Sequence, residues 1–126
     1  MAQLHDIAPP EYLYHGTNHF NAKDIAYDKL RTHRPWYGTN QRVWPDGSAE
    51  KRSYWTEVEA VADSFYPKEG KPTILRVPGR LKSGGRPLFK RESTGDWYST
   101  IPIPAKYIQI KISGSWVNTI AYHDSI

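Results

Sequence analysis

Apolar and polar positions along this chain change period several times, and each change marks an element. Ala22, Ile25, Ala26 and Leu30 recur at helical spacing, which predicts a helix capped by Asn21 and running to about Leu30. Val58, Val61, Ala62 and Phe65 form a second apolar stripe of the same period. Thr56 with Glu59 three positions on is a capping-box pattern for that helix, and Pro67 stops it. Farther on, Ile108, Ile110 and Ile112 alternate with Gln109 and Lys111, the period of a strand with one face on a core. Residues 73–77, bounded by Pro72 and Pro78, read as another strand, as do the short aromatic runs 12–15 and 53–55. Residues 88–89 and 117–122 are weaker strand candidates, and Gly84-Gly85 marks a turn.

Between these segments the patterning fades. Residues 1–11 read as an irregular arm ending in Pro9-Pro10, and residues 12–126 as one domain. Residues 31–52 carry no period, with Pro35, Gly38, Pro45 and Gly47 set among Trp36, Tyr37 and Trp44. So long a connection is either a functional loop or an ordered loop held by its own aromatics. Two short helices followed by a run of strands predict an α+β domain with mostly antiparallel sheet.

Composition narrows the chemistry. With 5 Trp and 9 Tyr in 126 residues, large rings can build a core from few aliphatics. The chain has no cysteine, so disulfides and thiolate metal sites are excluded. His15 and His19 are four apart, but Gly16 and the strand pattern before it spoil the helix that a two-histidine zinc motif needs, so no metal is expected. No serine lies in a nucleophile elbow, and no glycine-rich phosphate loop opens a helix. Neither a leader peptide nor an apolar run of roughly 20 residues is visible, which predicts a cytoplasmic protein without a membrane partner. The formal charge of +4 suits an anionic ligand such as a pyrophosphate or a nucleic acid, and equally plain solubility.

Three segments, in order, carry a resemblance. Tyr12-Leu13-Tyr14-His15-Gly16-Thr17 resembles the first motif of the ADP-ribosyltransferase superfamily, a strand ending in His-Gly-Thr. Tyr54-Trp55-Thr56, followed by a helix with Ala62 and Phe65-Tyr66, resembles the second. Ile103-Pro104-Ala105-Lys106-Tyr107-Ile108 is similar to the stretch opening the family's late strand, and Asp96 stands where many members carry an acidic residue shortly before it. The resemblance implies two packed, mostly antiparallel sheets with short helices around an NAD cleft. It further implies that NAD is the co-substrate and that ADP-ribose passes to a macromolecular acceptor, protein or nucleic acid, with release of nicotinamide. His15 would bond a ribose hydroxyl, Gly16 the nicotinamide amide beside Thr17, and Tyr54 would stack on the ring with Phe65 or Tyr66 opposite. Asp96 would stabilise positive charge developing on the ribose, with Glu92 as its rival.

The sequence departs from the family pattern in two places: Asp96 is one methylene shorter than the usual glutamate, and Trp55 replaces the phenylalanine that commonly follows the tyrosine. Each residue also has a plain structural role open to it. His15 fits a strand end, Tyr54 a core, Phe65 an apolar helix face and Asp96 a turn after Gly95. Two other functions therefore stand beside the transferase. One is a module of the same fold that binds a nucleotide or a protein without turnover. The other is an NAD-dependent RNA 2′-phosphotransferase, for which Arg52 is present but Tyr54 and Trp55 occupy the place of an expected second histidine.

Overall fold

A computed structural model describes residues 8–35, 43–65, 67–119 and 122. Its strands are β1 (Tyr12–Asn18), β2 (Lys29–Leu30), β3 (Ser53–Trp55), β4 (Pro72–Pro78), β5 (Lys82–Ser83), β6 (Arg86–Pro87), β7 (Lys90–Arg91), β8 (Trp97–Ser99), β9 (Ile103–Pro104), β10 (Gln109–Ile112) and β11 (Ser115–Asn118). Helix α1 (His19–Tyr27) follows β1, and the short helix α2 (Glu59–Asp63) follows β3. A four-stranded sheet has the order β1-β4-β10-β11 and a three-stranded sheet the order β3-β8-β7, with β2-β9 and β5-β6 as two-stranded ribbons. Every described pairing is antiparallel. The chain is thus α+β.

The two larger sheets share one core. Leu13, Leu75, Val77 and Ile110 from the four-stranded sheet meet Trp55 and Trp97 from the three-stranded one, and Ala22, Ile25 and Ala26 of α1 join them. Phe89 meets Trp55 edge-on at 5.7 Å, a ring geometry favoured by the aromatic quadrupole. The even residues of β1 face the other way, so Tyr12 and Tyr14 lie half-buried on the outer surface of the four-stranded sheet.

Several sequence expectations shift. The first helix starts three residues early, because Asn18 and not Asn21 is its cap; the Asn18 side chain accepts from the Asn21 amide at 2.7 Å. It also ends at Tyr27, and Leu30 leaves the helix to pair with Ile103 in β2-β9. The capping box does not form. Val58 is the cap of α2, Thr56 Oγ1 accepts from the Val58 amide, and Glu59 reaches Lys111 at 3.2 Å instead. Of the predicted apolar stripe only Ala62 is buried, while Val58, Val61 and Phe65 are 49%, 55% and 46% exposed. A five-residue helix has too few turns to hide a whole stripe. Residues 88–89 do not form a strand; Phe89 enters the core and the pairing starts at Lys90. The last strand starts and ends earlier than the apolar pattern suggests, at Ser115 and Asn118.

Helix α2 crosses β1 closely at Gly16. A Cβ there would sit 2.5 Å from the Ala62 carbonyl oxygen and 2.7 Å from Phe65 Cβ. The first neighbour is backbone and cannot swing aside, so glycine is required for this crossing. Gly16→Ala should cost about 1–3 kcal/mol by overpacking, read as a drop in thermal midpoint. An unchanged midpoint would mean that α2 is free to move off β1.

Candidate functional site

Tyr14 and Thr56 exchange both backbone hydrogen bonds, at 2.8 and 2.9 Å, and these are the bridge between β1 and β3. Beyond it the two strands part. Continuing the register would set Gly16 against Tyr54, but the His15 side chain enters there and its Nδ1 lies 2.7 Å from the Tyr54 carbonyl. A carbonyl only accepts, so Nδ1 carries the proton and Nε2 keeps its lone pair. Loss of hydration on burial holds the imidazole below its ordinary pKa, which outweighs the bond to Tyr54. His15 is therefore a neutral acceptor near pH 7, and its ring packs 5.2 Å from Trp55.

The parting opens a cavity of about 830 Å³ between β1, α1, β2 and the start of β3. His15, Gly16, Thr17 and Phe65 line it, together with His33 and Ser53. Backbone polar groups alternate sides along a strand. Glu11 and His19 bond toward the β4 side whereas Tyr14 bonds toward β3, so Gly16, in step with Tyr14, turns its N–H and C=O away from β4. Among the described residues these two groups have no hydrogen-bond partner. Asp28 also lines the cavity, and Lys29 and Arg31 stand 3.9 and 3.6 Å from it.

Tyr54 is not part of that lining. Its ring lies on the opposite face of β3 from Ser53, against Trp44 at 4.8 Å and Tyr98 at 6.0 Å. Its hydroxyl donates to Glu92 and accepts from Arg52 at 3.0 Å. Burial, reinforced by the bond to Glu92, raises the phenol well above its ordinary pKa. Tyr66 lies outside the described residues, as do Trp36, Tyr37 and Gly38 of the long connection. Asp96 and Glu92 both lie on the turn joining β7 to β8, where the Glu92 amide bonds the Asp96 carbonyl at 2.7 Å. The Asp96 side chain is exposed, and partial desolvation followed by the nearby Glu92 charge pushes its carboxyl upward. Neither carboxylate lines the cavity.

The group that sequence reasoning undervalued is Arg52, which is 1% exposed. It donates to Asp46 at 2.7 Å, Glu50 at 2.8 Å, Ser48 at 2.5 Å and Glu92 at 2.9 Å, and its guanidinium stacks 3.8 Å from the Tyr98 ring centroid. Burial works to lower its pKa, but the bonds to Asp46, Tyr54 and Glu50 prevail and raise it, so the cation is permanent. The nearest signal in the sequence was the cluster Asp46, Glu50 and Arg52 within a turn-rich loop. Around this cation residues 43–52 fold back on β3: the Arg52 and His33 backbones bridge, and Trp44 Nε1 donates to the Glu50 carbonyl at 2.6 Å.

No protein-family model matches the chain, and no curated protein or solved structure matches it either. No described helix is long and apolar enough to cross a membrane, and no group of metal-ligating side chains occurs among the described residues.

The clasp on Arg52 should respond to acid. The Arg52 hydrogen bond, helped by the Ser48 amide, holds the Asp46 carboxyl down to about 2 against an ordinary value of 3.8. A depressed folded pKa contributes stability above the unfolded value and loses it as pH falls through the folded one. Trp44 fluorescence should therefore change between about pH 4 and about pH 2, and Asp46→Asn should abolish that step; a step that survives in the variant assigns it elsewhere. Arg52→Met leaves Glu92 buried without its cation and should cost about 3–5 kcal/mol in chemical denaturation, whereas a cost below 1 kcal/mol would mean that the network is dispensable.

Proposed function

We propose that the chain binds NAD in this cavity and transfers ADP-ribose from it to a macromolecular acceptor, in an ADP-ribosyltransferase-like fold. The parting of β1 from β3 carries the reading, because it leaves Gly16 N–H and C=O on a free strand edge beside a neutral histidine. A carboxamide offers one acceptor and one donor side by side, and a strand edge answers both. His15 Nε2 accepts from a ribose hydroxyl. The exposed Phe65 ring, seated over Gly16, supplies one apolar wall for the nicotinamide. A cavity near 830 Å³ suits a ligand of this size, since small-molecule sites run to about 300–1,000 Å³.

In this reading the ribose–nicotinamide bond breaks and nicotinamide leaves with the bonding pair. The acceptor nucleophile then bonds to the same ribose carbon and gives up a proton. Tyr54 acts as a positioning residue: its carbonyl fixes the His15 tautomer while its ring and hydroxyl stay in the Arg52 cluster. Of the two carboxylates, Glu92 is committed to Arg52, whereas Asp96 forms no ion pair among the described residues. Asp96 is thus the unpaired one, and to stabilise positive charge on the ribose it must approach from outside the cavity lining. A second reading, binding without turnover, is favoured by one observation, that neither carboxylate lines the cavity.

The two readings separate in one set of measurements. NAD should raise the melting temperature of the wild type, and His15→Ala should weaken NAD binding about five- to tenfold through loss of one hydrogen bond. Asp96→Asn should keep NAD binding yet lower nicotinamide release about a hundredfold. NAD binding without nicotinamide release in the wild type would select the binding module. No melting shift at saturating NAD would remove both readings.

A further inference from the structure

The outer surface of the four-stranded sheet carries a pattern that the cavity does not use. Tyr12 and Tyr14 on β1, Arg76 on β4, Gln109 and Lys111 on β10 and Trp116 on β11 all point to this side, and all are half-buried. Arg76 sits at the centre. It pairs in register with Tyr14 on one side and Gln109 on the other. Its guanidinium lies 4.0 Å from the Tyr12 ring centroid and 4.5 Å from that of Trp116, and its Nε donates to Gln109 at 2.7 Å. Stacked in this way, the fork is held in place, and no described side chain accepts from its terminal N–H groups. Among the described residues no carboxylate pairs with it; the neighbouring Glu59 is taken by Lys111 at 3.2 Å, and Lys111 itself lies 5.8 Å over Trp116.

We propose that this sheet face is a docking platform for single-stranded nucleic acid. An unneutralised, preorganised guanidinium is complementary to a phosphodiester. Aromatic rings spread over adjacent strands offer surfaces on which bases stack whatever their sequence. Aliphatic surface, which a protein partner would bury, is sparse on the open part of the face: Pro78 beside Tyr12 is exposed, and Ile74, on the same side, is buried where α2 covers the end near Gly16. Strands roughly 4.8 Å apart give the face a width of about 14 Å from β1 to β11, enough for the two or three bases that sheet platforms hold. The chain's formal charge of +4 adds long-range attraction. None of this needs NAD, so the platform and the NAD cavity stand or fall separately.

The test uses a labelled single-stranded oligonucleotide of about ten uridines at about 50 mM salt, where phosphate contacts are strong, with anisotropy and tryptophan fluorescence read together. The expected result is saturable binding that quenches tryptophan fluorescence. Arg76→Gln and Trp116→Ala should each weaken it at least about fivefold, while Lys82→Ala, on the exposed β5-β6 ribbon, should leave it within twofold. Circular dichroism checks folding. If Trp116→Ala fails to fold, Arg76→Gln against Lys82→Ala decides. No binding by the wild type overturns the proposal. So does equal weakening by Arg76→Gln and Lys82→Ala, or equal affinity for a duplex of the same length without quenching, because each points to diffuse charge and not to this face.

Discussion

Arg52 is the constraint on which the rest of the site depends. A buried guanidinium must be bonded all round or it costs several kcal/mol. This one draws its partners from two separate stretches: Asp46, Ser48 and Glu50 from the loop, and Glu92 from the β7-β8 turn. Satisfying one side chain therefore closes the loop onto β3 and fixes the turn on which Asp96 sits. The same cation holds the Tyr54 hydroxyl on one face of β3. That leaves the Tyr54 backbone carbonyl, on the strand edge toward β1, to orient His15. A buried ionic network is weak evidence of added stability, but here it selects one arrangement of segments with little regular structure of their own.

The cleft follows from what happens beside that network. Antiparallel strands tend to continue pairing, since each unpaired backbone group costs free energy. β1 and β3 stop after the Tyr14–Thr56 bridge because the His15 imidazole takes the Tyr54 carbonyl that would otherwise bond Gly16. One hydrogen bond is kept, and an unpaired strand edge is created next to it. Glycine at position 16 serves a second constraint, the crossing of α2 against β1. Its presence is thus required by packing alone. What ligand chemistry could use is the unpaired edge, which packing does not explain.

Much of the architecture was legible in the sequence because it rests on local periodicity. The alternation Ile108, Ile110, Ile112 placed β10, proline brackets placed β4, and Gly84-Gly85 placed the turn of the β5-β6 ribbon, where both glycines have positive φ. The helix ends depart from the local pattern where side-chain choice depends on distant partners. Thr56–Glu59 looks like a capping box, yet Glu59 is drawn to Lys111, 52 residues away. Phe65 looks like core, yet its place over Gly16 leaves it at the cavity rim. The position of Tyr54 was opaque for a related reason. A short aromatic strand has no strong preference for which face is inward, and the outcome was set by Trp55 and Trp97 filling the core while Arg52 attracted the phenol.

β1 joins these surfaces in a single register. Its odd residues put Leu13 in the core and His15 at the cavity, and its even residues put Tyr12 and Tyr14 on the outer sheet face and Gly16 under α2. A slip of one residue against β4 would exchange the two sets. It would bury Tyr14 in place of Leu13, drive a side chain into the Ala62 carbonyl and remove the imidazole from the Tyr54 carbonyl. Core, cavity and outer face therefore enforce the same pairing, each penalising the slip by a different mechanism. That shared dependence explains how β1 holds its register at the edge of the sheet, where it has only one full neighbour, β4. It also sets the limits of change. Substitutions on the outer face at Tyr12 leave the inward set in place, whereas an insertion within β1 would disturb all three surfaces together.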